Sequence, residues 1–201
     1  MRTLILVDIQ VDFMPGGALE VSGGDKIIPV VNSIIPKFDL VIATQDWHPE
    51  NHKSFASNHP GRKEFETIKL GGMDQTLWPD HCVQGTRGAE FHTDLQTNRI
   101  EAVFRKGMES KIDSYSGFFD NGHKKTTGLA GYLREKGAGE IFFCGLAGDI
   151  CVYYSLIDAL EQGFETGYIE DGSMPLDPEG FEKIRKDMIA RGAKIITSSE
   201  I

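Results

Sequence analysis

Cysteine is scarce: the 201-residue chain holds three, Cys82, Cys144 and Cys151. An odd, low number does not read as a disulfide framework and suits a reducing compartment. No apolar run approaches the roughly 20 residues of a membrane helix. The N-terminal run Thr3–Val7 is short and is interrupted by Asp8, so it does not read as a secretory signal. A cytoplasmic protein without membrane contact is the expectation. Basic residues are outnumbered, 21 Lys and Arg against 30 Asp and Glu, for a formal charge of −9. With no basic cluster to offset that sign, nucleic acid and anionic membranes are poor partners. Internal repeats and low-complexity tracts are absent.

What is present is ordinary globular composition, 40% hydrophobic and 25% charged. A chain of this length is expected to form one domain, spanning 1–201. The run TLILVDI reads as a strand buried on both faces. In 25–35, Ile27, Ile28, Val31, Ile34 and Ile35 recur at helical spacing. A strand is expected at 39–44, then a long segment at about 45–100 rich in Gly, His, Pro and Asn. Loops of that length are usually functional. Regular alternation resumes with strands at 101–104, 140–146, 164–169 and 193–197 and helices at 126–136, 149–162 and 178–191. Strands alternating with helices predict an α/β fold, a doubly wound, mostly parallel sheet with helices on both faces.

In such sheets ligands bind beyond the carboxyl ends of the strands. Asp8 ends the first strand, Asp46 and His48 follow the second, Lys106 follows the third, and Cys151 opens a helix after the fourth. Each has a plain structural reading. Asp8 alone could serve a turn, Lys106 could be a solvated surface lysine, and Cys144 within its apolar strand is core filler. Cys82 reads as packing near His81. Cys151 stands apart because a helix N-terminus favours a thiolate. Five of the six histidines, His48, His52, His59, His81 and His92, fall in the long loop region. Asp46 with two or more of them suits zinc, manganese or iron(II), although the spacing alone is not specific.

These motifs together resemble the nicotinamidase/pyrazinamidase family of the isochorismatase-like cysteine hydrolases. The matching pieces are LILVDIQVDFMPGGAL (4–19), ATQDWHPENHKSF (43–55), LWPDHCVQGTRGAEFH (77–92), VFRKG (103–107), DSYSGFFDN (113–121) and GLAGDICV (145–152). They occur in the family's order and span most of the chain. The resemblance implies a catalytic Asp8, Lys106 and Cys151, and one divalent metal ion, zinc before iron or manganese, held by Asp46, His48 and His81. His52 is a further candidate ligand. Phe13 and Trp78 would flank the substrate ring, and their alternative is core packing. Ala147 and Cys151 would offer backbone N–H groups to the substrate oxygen. The loop after strand four is expected to hold a cis peptide near Leu146–Ala147, with Gly148, where the family often has Thr, tolerating unusual backbone angles.

The implied reaction is hydrolysis of nicotinamide to nicotinate and ammonia through a cysteine thioester, in NAD salvage, with pyrazinamide as a related substrate. Lys106 and the helix dipole are expected to favour the thiolate, and the metal to orient the ring. A related amidohydrolase acting on an N-carbamoyl or ureido substrate competes, as does a flavodoxin-like domain that merely binds a metal. The Asp–Lys–Cys set argues against the latter. A homo-oligomer stays open.

Overall fold

The computed structural model describes residues 1–201. Its elements in chain order are β1 (Arg2–Val7), α1 (Ile27–Ile34), β2 (Leu40–Asp46), β3 (Thr67–Leu70), β4 (Met73–Thr76), β5 (Ala102–Lys106), α2 (Leu129–Glu135), β6 (Glu140–Gly145), α3 (Cys151–Glu161), β7 (Glu165–Ser173), α4 (Phe181–Ala190) and β8 (Lys194–Ile196). Six strands form one sheet in the order β5-β2-β1-β6-β7-β8, and every pairing in it is parallel. The α/β sheet with helices on both faces is therefore as expected.

Side-chain alternation along the strands divides the core in two. Leu4 and Leu6 of β1, Val41 and Ala43 of β2, and Phe142 and Cys144 of β6 pack with the apolar face of α1. Their neighbours Ile5, Val7, Ile42, Ile141 and Phe143 pack with α2, α3 and α4. Strands buried on both faces need no polar alternation, which is why β1 reads as one continuous apolar run. The long loop contributes Trp78, Cys82, Ala89 and Leu95 to the α1 side. Helix α2 stops at Gly137, whose φ of 71° is left-handed. Its N–H donates to Arg134 O and that of Ala138 to Leu133 O, a Schellman closure. Helices α3 and α4 end in the same way.

The boundaries differ from the sequence reading in two ways that matter. Strands β2 and β5 run on to Asp46 and Lys106, so both are strand residues rather than loop residues. The long segment is also not irregular throughout. β3 and β4 form an antiparallel ribbon in which Leu70 opposes Met73, leaving Gly71–Gly72 as a two-residue turn with φ of 59° and 88°. Gly-Gly between two short runs is a hairpin signal, and it was present in the sequence.

Candidate active site

Asp8 directly follows β1, Asp46 and Lys106 are the last residues of β2 and β5, and Cys151 is the first of α3. Because Asp46 and Lys106 are register partners, the carboxylate and the ammonium stand side by side. Lys106 Nζ donates to Asp46 Oδ1 at 2.8 Å, to Ser114 O at 2.9 Å and to Cys151 Sγ at 3.4 Å. It also lies 2.9 Å from Asp8 Oδ2. That contact is an ion pair without hydrogen-bond alignment, for Asp8 Oδ2 receives no hydrogen bond. Asp8 Oδ1 accepts one from Thr44 Oγ1 at 2.7 Å. The Lys106 side chain is fully buried, so it is not a solvated surface lysine. Asp8 has φ of 48°, a conformation that non-glycine residues keep only where the surroundings enforce it.

Burial and charge set the protonation states. Burial raises Asp8, and the Lys106 ammonium offsets only part of that rise. Burial would raise Asp46 too, but Lys106 and His48 reverse it and hold Asp46 well below the usual carboxylate range. Lys106 loses solvation, yet Asp46 and Asp8 keep it charged well above its ordinary value. Burial pushes Cys151 well up against the pull of Lys106, and the carboxylates of Asp8 and Asp46 push the same way. Desolvation and two anions thus oppose the thiolate that the Lys106 ammonium and the helix end favour, which is why a base for the thiol proton matters at this site.

Asp46, His48 and His81 offer ligand atoms close together, all from buried residues. His48 Nδ1 lies 2.9 Å from Gly107 O and His81 Nδ1 lies 2.8 Å from Pro79 O. A carbonyl only accepts, so each Nδ1 carries a proton and each Nε2 is turned toward Asp46, whose charge raises the pKa of His48. Those Nε2 atoms lie 3.4 Å from Asp46 Oδ1 and 3.7 Å from Asp46 Oδ2. Donors at about 2.0–2.2 Å from one ion have roughly this mutual spacing, so the residues fit a metal. Gly107 is needed here, because a Cβ would come within 2.3 Å of the His48 ring. His52 is placed differently. Its Nδ1 accepts the Ser54 N–H at 3.2 Å, so Nε2 carries the proton, 3.3 Å from Ile112 O. Both nitrogens are engaged and burial lowers its pKa to about 4; with His48 and Asp113 it forms a second buried group of ligand-type atoms next to the first.

A small, mostly apolar cavity opens beside Cys151, Asp46 and His81. Phe13, Trp78 and Ala147 line it. The Leu146–Ala147 peptide is cis. The N–H groups of Ala147 and Cys151 have no acceptor within the protein, which leaves two donors on residues of the pocket wall. Gly148 does not adopt a left-handed angle; what it supplies is space, since a Cβ would come within 2.5 Å of the Tyr168 hydroxyl. Cys144 and Cys82 are buried in the α1-side core. The sequence reading missed Asp113, Tyr115, Leu19 and Leu176 in the pocket wall. It also missed Gln10, whose side chain holds the backbone N–H and carbonyl of Asp46 at 2.8 Å each. Asp113, Tyr115 and Gln10 sit inside the quoted motifs, which was the available signal.

The isochorismatase domain family matches residues 2–200. A nicotinamidase of Acinetobacter baylyi is 45% identical over 199 residues, covering 98% of this chain and 93% of that protein. The solved nicotinamidase/pyrazinamidase of Acinetobacter baumanii superposes with a TM-score of 0.96 at 46% identity, covering 99% and 97% of the two chains. The pyrazinamidase of Pyrococcus horikoshii, solved in complex with zinc, superposes with a TM-score of 0.80 at 42% identity, covering 98% of each.

Proposed function

The chain belongs to the isochorismatase-domain family, and from that premise we propose that it hydrolyses nicotinamide to nicotinate and ammonia through a thioester on Cys151, acting on pyrazinamide as well. The observation that carries this reading is the buried Lys106 ammonium, in contact at once with Asp8, Asp46 and Cys151. Asp8, with its raised pKa and its Oδ2 beside the Lys106 ammonium that also touches Cys151, suits a general base. It takes the thiol proton as Cys151 Sγ attacks the carboxamide carbon. Lys106 stays protonated and stabilises the anionic sulfur. The N–H groups of Ala147 and Cys151 receive the developing oxyanion, each worth about 3 kcal/mol in such sites. Asp8 returns the proton to the departing nitrogen and ammonia leaves; Asp8 then draws a proton from water as it attacks the thioester, the C–S bond breaks to release nicotinate, and Asp8 gives that proton back to Cys151 Sγ.

Asp46, His48 and His81 would hold one divalent ion, zinc first, supplying a Lewis-acid anchor for the ring nitrogen. Phe13 and Trp78 would grip the ring faces and exclude water. The small-molecule substrate needs no nucleic-acid or membrane partner. Free, buried cysteines suit a cytoplasmic setting, where nicotinate release would feed NAD salvage. The deciding experiment is ammonia release from nicotinamide by the zinc-loaded protein, side by side with an N-carbamoyl or ureido substrate. Turnover of the ureido compound alone would refute the assignment.

A further inference from the structure

Outside the pocket, one group of metal-type donors has no role in the chemistry above. His123, in the loop between β5 and α2, meets Asp158 and Glu161, one turn apart on α3, and one ligand atom from each lies within 4.8 Å of the other two. His123 Nε2 is 3.3 Å from Asp158 Oδ1, and the Asp158 side chain is only 7% exposed. Its Oδ2 is buried and has no hydrogen-bond partner. Burial raises the Asp158 carboxyl while the Ser116 hydroxyl and His123 pull it back, and an oxygen without a donor in such a place is one that a cation can satisfy. Asp158 and His123 line a cavity of their own with Tyr115 and Tyr154.

We propose that His123, Asp158 and Glu161 bind a second transition-metal ion of the zinc class on the outer side of the pocket wall. One imidazole and two carboxylates suit borderline divalent ions such as zinc or cobalt and not soft monovalent ones. The 3.3 Å separation of Nε2 and Oδ1 is long for a charge-assisted hydrogen bond, about 2.7–2.9 Å, and fits two donors about 2.1 Å from a common ion. Binding through both carboxylate oxygens would satisfy Oδ2. Glu161 is otherwise held only by a loose surface pair with Arg191 at 3.8 Å. Tyr115 lines both cavities, so the ion sits behind a wall residue of the pocket and fastens its loop to α3.

The test begins with enzyme carrying one equivalent of zinc and adds zinc alone, counting bound metal by equilibrium dialysis with elemental analysis. A saturable second equivalent is expected, with a Tm that climbs as free zinc rises. His123→Ala and Glu161→Gln should each weaken that second equivalent at least about tenfold and leave ammonia release at one equivalent unchanged. His48→Ala should do the reverse, losing the first equivalent and keeping the second, which separates this site from the catalytic one. A single equivalent at millimolar zinc, or an undiminished second equivalent in His123→Ala, overturns the proposal.

Discussion

Asp46 and Lys106 are register partners on neighbouring parallel strands, and their side chains meet at 2.8 Å in a fully buried ion pair. One ammonium thereby neutralises a candidate metal ligand and touches the candidate nucleophile 3.4 Å away. Lys106→Met should remove both effects. Two carboxylates would then share a buried site without a cation, and one of them would take up a proton. We expect kcat/KM to fall at least about a thousandfold, with a stability loss of about 3–5 kcal/mol from the broken buried pair, read by ammonia release and urea melts. A variant within tenfold of the parent would remove Lys106 from the mechanism.

Cys151→Ala should bind nicotinamide and release no ammonia above background. Cys144→Ala and Cys82→Ala should turn over, at some cost in stability, because both side chains fill the core. Calorimetric binding paired with the ammonia assay checks all three, and turnover by Cys151→Ala contradicts the nucleophile assignment.

The raised Cys151 pKa gives a pH test in metal-free protein. Because the Cys151 pKa is raised, its alkylation by iodoacetamide should climb with pH through and beyond the ordinary thiol range, with no fast plateau near pH 6. The Asp8 carboxylate contributes to that rise, so Asp8→Asn should speed alkylation at neutral pH while abolishing turnover. Slower alkylation in Asp8→Asn would reverse the sign we assign. Asp8 also limits activity on the acid side: turnover should fall as pH drops through its raised pKa. For stability the same group works in the opposite sense. Its folded pKa exceeds the unfolded one, so its contribution is full below the unfolded value and is lost as pH rises through the folded value. Asp46, with a depressed pKa, contributes above the unfolded value and loses that contribution only as pH falls through the folded one.

Exhaustive chelation should abolish turnover, and a divalent ion should restore it. Benzamide keeps the shape and the scissile bond of nicotinamide but lacks the ring nitrogen, so its specificity constant should be lower by at least about two orders of magnitude. Equal specificity constants would mean that Phe13 and Trp78 hold the ring unaided.

Gly148→Ala should lose about 1–3 kcal/mol by overpacking against the Tyr168 hydroxyl. Tyr168→Phe in the same chain should recover part of that loss, since it removes the atom a Cβ would strike. A double-mutant cycle of thermal melts measures the coupling, and strict additivity would place the strain elsewhere.

The sheet was legible because β1, β2 and β6 are buried on both faces and read as unbroken apolar runs. Asp8, Lys106 and Cys151 were legible because the fold class gathers strand ends at one edge, and the structure brings all three together with Asp46, His48 and His81. What the sequence hid depends on packing between distant segments. The protonation of Cys151 follows from burial under loops that no local pattern describes. The tautomer of His52 follows from the Ser54 N–H two residues on. Gly148, in the connection between β6 and α3, owes its identity to Tyr168 on β7. The β3–β4 ribbon was hidden only by the assumption that a loop so long stays irregular.

The pairing of β5 with β2 puts unequal demands on neighbouring stretches of chain. β5 is an edge strand with a single partner, and only five register pairs fix it. Lengthening the surface excursion between β2 and β5 by a few residues changes closure entropy by well under about 1 kcal/mol. A slip of one residue in β5 itself turns Lys106 to the opposite face of the sheet. Insertions near the Gly71–Gly72 tip should therefore be silent, whereas a single insertion between Val103 and Lys106 should leave a folded chain without its ammonium. The enzyme tolerates errors of length in this region and does not tolerate errors of parity.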